Sequence, residues 1–86
     1  MQRILVVEDQ RNLRRSVLAA LSEAGFDTVG ASTIGEAAEQ LSTNVSAVIL
    51  DIMLPDGSGL DWLQDVRRAG KNVPVILLTA RDSVLD

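Results

Sequence analysis

The chain predicts an α/β fold, a doubly wound parallel sheet in the order βαβαβαβ. Short continuous apolar runs recur along its 86 residues, such as Ile4-Leu5-Val6-Val7. Runs of this kind are strands buried on both faces. Between them lie segments whose apolar residues recur at helical spacing, and Gly, Pro, Ser and Asp gather at the boundaries. Buried strands alternating with helices imply a parallel sheet covered on both faces through right-handed crossovers.

The first strand is Ile4 to Val7. Leu13, Val17, Ala20, Leu21 and Ala24 then form one stripe of a helix, and Gly25 stands at its C′ position. Phe26 to Ala31 is a weaker strand with Gly30 inside it. Thr33-Ile34-Gly35-Glu36 fits a capping box. Ile34, Ala37, Ala38 and Leu41 give the second helix its stripe, and Ser42-Thr43-Asn44 ends it. Val45 to Leu50 is the third strand, running into Asp51. Leu54-Pro55-Asp56-Gly57-Ser58-Gly59 is the densest turn signal. Ser58 with Asp61 opens a third helix with Leu60, Leu63 and Val66 inside, and Gly70 closes it. Val73 to Leu78 is the fourth strand, with Pro74 near its start, where a missing N–H is tolerated.

Composition narrows the chemistry. There is no cysteine and no histidine, so disulfides, zinc knuckles, thiol catalysis and an imidazole base are excluded within this sequence. Acidic residues outnumber basic ones, 12 to 8, and the only aromatics are Phe26 and Trp62. A broad nucleic-acid surface or base-stacking platform is not expected here. No apolar run approaches the roughly 20 residues of a membrane helix, and the N-terminus has no signal-peptide pattern. A cytoplasmic location without membrane contact is the expectation.

Ligands of such sheets bind beyond the carboxyl ends of the strands. Glu8 and Asp9 follow the first strand, Asp51 the third, and Thr79 then Ala80 the fourth. Three carboxylates and a hydroxyl therefore converge if the first, third and fourth strands are neighbours. Clustered carboxylates repel, and each raises its neighbours' pKa unless a cation sits among them. With oxygen donors alone, Mg2+ is the fitting cation. Acidic residues at strand ends also cap helices, and Asp9 is placed to cap the first one. The same reading takes Asp56 as a turn aspartate, Asp61 and Asp65 as a solvated helix face, the Arg14-Arg15 and Arg67-Arg68 pairs as surface charge, and Trp62 as packing.

Three stretches together resemble the receiver domain of two-component response regulators. They are Ile4-Leu5-Val6-Val7-Glu8-Asp9, Val48-Ile49-Leu50-Asp51-Ile52-Met53-Leu54-Pro55-Asp56-Gly57-Ser58-Gly59-Leu60, and Val73-Pro74-Val75-Ile76-Leu77-Leu78-Thr79-Ala80-Arg81. The resemblance is collinear over the chain. Leu54-Pro55-Asp56-Gly57 and Thr79-Ala80-Arg81-Asp82 look most like the subfamily whose receivers precede a winged-helix DNA-binding domain.

The resemblance implies a flavodoxin-like sheet and a signalling module rather than an enzyme. It implies that Asp51 takes a phosphoryl group from a sensor histidine kinase, and that Glu8, Asp9, Asp51 and the Met53 backbone carbonyl hold Mg2+. Thr79 is then the switch hydroxyl, and Ala80 the small residue beside the phosphate. DNA would be reached only through a downstream domain, to control transcription.

Family members continue through a further helix, a fifth strand ending in a lysine, and a fifth helix. Residues 1–86 then correspond to a receiver truncated after its fourth strand, and the one lysine, Lys71, precedes that strand. Inefficient phosphorylation of this stretch alone is the expectation. Self-association through the exposed fourth strand and an uncovered sheet face is expected as well. The alternative function is a non-phosphorylatable self-associating interaction module. A haloacid-dehalogenase-like phosphatase would need an aspartate where Met53 stands, and a dinucleotide fingerprint would need a glycine where Trp62 stands.

Overall fold

The structure, a computed structural model, describes residues 2–78. The elements follow as β1 (Arg3–Val7), α1 (Arg11–Glu23), β2 (Asp27–Ala31), α2 (Ile34–Leu41), β3 (Ala47–Asp51), β4 (Met53–Leu54), β5 (Gly57–Ser58), α3 (Gly59–Arg68) and β6 (Val75–Leu78). β2, β1, β3 and β6 form one parallel sheet in that spatial order. The expected architecture is therefore present, with β6 as the fourth strand of the sheet.

Register sorts the side chains into two faces. Val6 stands level with Gly30 and Ile49, and Ile49 with Ile76. This is the face of α1, whose Leu18 and Arg14 side chains come close above Gly30. Val7 stands level with Ala31 and Leu50, and Leu50 with Leu77. That face meets Ala37 of α2 and Trp62 and Val66 of α3 in one apolar cluster. Leu5, Val6, Val7, Val48 and Leu50 are fully buried, so β1 and β3 are the centre of the fold. Burial of each such side chain contributes about 1.5–3 kcal/mol.

The helices differ from the expected stripes in detail. In α1 the half-buried residues are Leu13, Arg14, Val17, Leu18 and Leu21, while Ala20 and Ala24 are exposed. The bulkier leucine has displaced the alanines from the contact line. In α3 the inner residues are Gly59, Trp62 and Val66, with Leu63 partly buried, and Leu60 is 41% exposed. Trp62 and Val66, four residues apart, take the inner face, and Leu60, two residues before Trp62, lies about 200° away around the helix and faces outward. Both helix ends marked by glycine are as expected. Gly25 and Gly70 have φ of +100° and +84°. Around them Phe26 N–H donates to the Leu21 carbonyl, and Lys71 N–H to the Val66 carbonyl.

The turn after Asp51 is a two-stranded hairpin that pattern reading treats only as a turn. Met53 pairs with Ser58 and Leu54 with Gly57, antiparallel. Leu54 reaches the apolar cluster. Ser58 caps α3, its hydroxyl accepting from the Leu60 and Asp61 amides. The tip of the hairpin ends on α2. Asp56 Oδ1 accepts from Ile34 N–H at 2.9 Å, and Oδ2 from Gly35 N–H at 3.2 Å. Thr33 Oγ1 accepts from Glu36 N–H, as the capping box requires, but Glu36 reaches back to Ser32 N–H and Oγ. The first-turn amides of α2 are thus shared between its own cap and a residue 22 positions away.

Two outcomes follow from these contacts. Gly59 sits against the Asp51 carbonyl, where an added Cβ would overlap the oxygen. Because backbone is on the other side of that contact, Gly59→Ala is expected to cost about 2–3 kcal/mol, read as a fall in melting temperature of roughly 10 °C or more. The Ile34 amide, then the Gly35 amide, hold the Asp56 carboxyl below its ordinary value of 3.8. A depressed folded-state pKa gives stability that is present above the unfolded value and lost as pH falls through the folded one. The urea midpoint of wild type should exceed that of Asp56→Asn at neutral pH, and the gap should close on acidification below 3.8.

Candidate functional site

The chain crosses from β2 over β1 to β3, so the strand order reverses between β1 and β3. A crevice opens at such a reversal, beyond the carboxyl ends of the strands. Glu8 leaves β1 there, and Asp51 is the last residue of β3. Glu8, Asp9 and Asp51 each bring one carboxylate oxygen within 4.8 Å of the others. The convergence expected of these acids is therefore real.

Their environments differ. Glu8 is 2% exposed and Asp51 8%, while Asp9 is open to solvent. Glu8 Oε2 accepts from the Gln10 amide at 2.8 Å. Glu8 Oε1 is buried and has no hydrogen-bond partner among the described residues. Burial pushes the Glu8 carboxyl above its ordinary 4.5, the Gln10 amide partly restrains it, and the Asp51 and Asp9 carboxyls push it further up. A buried carboxylate oxygen without a partner is costly. An orphaned oxygen, two more carboxylates and no nitrogen or sulfur donor make a set that fits a hard divalent cation such as Mg2+.

The frame around these acids is polar and local. Glu8 N–H donates to the Ala31 carbonyl at 2.9 Å, tying the loop to the end of β2. Arg14 Nη1 donates to the Glu8 carbonyl at 2.8 Å. Arg14 is thus a structural contact of the site and not simply surface charge; its position one turn into α1, facing back toward β1, is the signal that pair counting missed. Asp9 does not cap α1, because the N-cap is Gln10 and makes no side-chain cap bond. Asp56, read as a turn residue, lies at the α2 terminus and outside the cluster. Arg67, read as surface charge, donates to the Lys71 and Val73 carbonyls and holds the turn before β6. Trp62 packs in the core as expected.

Met53 stands two residues after Asp51 in β4, its side chain 64% exposed. Gly59 N–H donates to the Ile52 carbonyl at 2.7 Å, so the segment between Asp51 and α3 is drawn back onto the end of β3. Thr79 and Ala80 lie outside the described residues. Leu78, the last residue before them, stands level with Asp51 across the β3–β6 pair.

Comparison with known proteins agrees with this geometry. The swarming motility regulation protein RssB of Serratia marcescens is 43% identical over 82 residues, covering 94% of this chain and 37% of RssB. The transcriptional regulatory protein VxrB of Vibrio cholerae is 42% identical over 85 residues, covering 99% of this chain and 34% of VxrB. The chain spans about a third of the length of these relatives. Among solved structures, response regulator TrrA of Thermotoga maritima, in complex with Mg2+ and beryllium fluoride, superposes with a TM-score of 0.88 at 39% identity, over 96% of this chain and 73% of TrrA. TrrA bound to the histidine kinase ThkA superposes with a TM-score of 0.85 at 41% identity, over 93% of this chain and 70% of the matched one. No described helix is long and apolar enough to cross a membrane. Residues 4–86 match the response regulator receiver domain, and with the reversed strand order carrying its acids at the sheet edge, the chain belongs to that family.

Proposed function

We propose that the chain is a phosphoacceptor, receiving a phosphoryl group from a sensor histidine kinase onto Asp51. The observation that carries this reading is the position of Asp51, buried at the strand reversal with a carboxylate oxygen within 4.8 Å of one from Glu8 and one from Asp9. An Asp51 carboxylate oxygen bonds to phosphorus as the phosphorus–nitrogen bond to the kinase imidazole breaks. The product is an acyl phosphate, and the imidazole leaves free. Phosphoryl transfer of this kind is mainly positioning and charge neutralisation. Glu8, Asp9, Asp51 and the Met53 carbonyl would hold Mg2+, which supplies positive charge against the carboxylates and the phosphoryl oxygens.

Thr79 supplies a hydroxyl to the phosphoryl group in this reading, and Ala80 leaves room beside it. Their place in the sequence directly after Leu78, which is level with Asp51, supports both roles. The kinase complex of TrrA supports the partner. The longer relative VxrB, a transcriptional regulatory protein, supports a larger protein in which this receiver stretch, extended by further receiver elements, governs DNA binding by a following domain. Such a protein is a cytoplasmic signalling module rather than an enzyme.

Exposed apolar residues on β6 favour a second reading, self-association of this stretch. Ile76 is 62% exposed and Leu77 40%, on opposite faces of the outermost described strand. An apolar strand edge is a template for pairing with another chain. Sedimentation should then show mass rising with concentration, and a monomer at high micromolar concentration overturns this reading.

The phosphoacceptor reading is tested by melting and mass. Mg2+ at tenfold over its dissociation constant stabilises by about 1.4 kcal/mol, and the melting temperature should rise by roughly 5–10 °C. Asp51→Asn should lose most of that rise. A small acyl phosphate donor with Mg2+ should add one phosphoryl mass to wild type and none to Asp51→Asn. Equal melting of the two proteins with and without Mg2+ would overturn the metal site.

A further inference from the structure

We propose that Asp56 is a positioning residue for the metal site, acting through the hairpin that carries Met53. The proposal rests on the reading of Glu8, Asp9, Asp51 and the Met53 carbonyl as Mg2+ ligands. Asp51 ends β3, and Glu8 and Asp9 follow directly on β1, with the Glu8 amide tied to the Ala31 carbonyl at the end of β2. The fourth lies on a hairpin outside the sheet, whose ladder has only two residue pairs. A ladder that short does not fix its own position, since isolated hairpins are marginal even when longer.

Three contacts hold the hairpin from outside. At its base, Gly59 N–H donates to the Ile52 carbonyl at 2.7 Å. In its middle, Leu54 is buried in the apolar cluster. At its tip, the Asp56 carboxylate spans two amides of α2, those of Ile34 and Gly35. The tip contact is the one that runs to a different part of the fold. α2 follows directly on β2, and Ala31 at the end of β2 accepts from the Glu8 amide. A circuit therefore closes from Glu8 through Ala31, α2 and Asp56 to the hairpin, and through Met53 back to Asp51. Both halves of the ligand set, the β1 loop and the β3 hairpin, are referenced to one helix terminus.

The chemistry of the contact suits that task. Two oxygens on two successive amides fix the direction of approach as well as the distance, and an anion is favoured at a helix N-terminus. Gly57 lets the tip approach closely, because an added Cβ there would lie 3.1 Å from Ile34 Cδ1. The hairpin tip is thus seated on the first two residues of α2. Groups that orient metal ligands without touching the metal commonly change affinity by about 10- to 100-fold when removed.

The test measures Mn2+ as a probe of the Mg2+ site, from the free-ion electron paramagnetic resonance signal, in wild type, Asp56→Ala, Asp56→Asn and Thr33→Ala. Thr33→Ala is the control, because it removes a cap from the same helix but leaves the hairpin contact intact. Asp56→Ala should weaken Mn2+ binding roughly tenfold, and Asp56→Asn, which keeps one acceptor, by about two- to threefold. Thr33→Ala should stay within about twofold of wild type at a similar loss of melting temperature. Should Asp56→Ala not fold, Asp56→Asn against Thr33→Ala decides the question. Equal affinities in the Asp56 and Thr33 variants would reduce Asp56 to a stabiliser of α2 and overturn the proposal. Failure of wild type to bind Mn2+ is a different result, which overturns the metal reading and this proposal with it.

Discussion

Pairing β1 with β3 forces Glu8 and Asp51 to share a small volume at the sheet edge. Everything else about the site answers that constraint. The two strands are the most buried in the fold, so the residues that leave them start from the driest part of the molecule. A carboxylate placed there loses its water and gains like-charged neighbours, and both effects raise its pKa. Glu8 shows the consequence, with its carboxyl pushed upward and one oxygen without a partner among the described residues. The apolar interior that stabilises the sheet is also what raises the cost of charge at its edge.

The acids need a rigid frame, and the backbone supplies it. Glu8 is held at its amide by Ala31, at its carbonyl by Arg14 and at its carboxylate by Gln10. Asp51 is held as the last residue of a paired strand, and glycine at position 59 lets α3 start against its carbonyl. These bonds keep the carboxylates together against their mutual repulsion. With a cation held there, as proposed, the same geometry would face a positive charge.

The fold and the main acids were legible because they rest on local, periodic signals. Buried strands read as unbroken apolar runs, and the acids stand directly after them, as Ile4 to Val7 with Glu8 and Val48 to Leu50 with Asp51 show. Gly25, Gly70, Thr33 and Ser58 were legible for the same reason, since each acts within its own turn or helix end. What escaped the sequence acts at a distance. Asp56 reaches back 22 residues to the α2 terminus, and nothing in Pro55-Asp56-Gly57 says which amides will be near. Arg14 is indistinguishable from Arg15 until the helix is placed against β1. Leu60 looked apolar enough to be inside, but Trp62 and Val66 take the inner face of α3 and leave it outside.

The same distinction explains how the site divides its labour. Strand ends can hold ligands at a spacing fixed by the sheet, but only on the lines that strands follow. Reaching a further ligand position needs chain that leaves the sheet, and such chain is soft. Here the segment after Asp51 folds back as a hairpin and is seated on the terminus of α2. The helix is a suitable anchor because its exposed amides already want an anion, and its own cap, Thr33, leaves two of them free for it. A carboxylate of the fold, turned away from the crowded cluster, thereby meets an electrostatic demand of one element while fixing the position of another. The acids in the crevice repel one another, the acid at the hairpin tip is paired with two amides, and in the proposed arrangement the order of the first depends on the second.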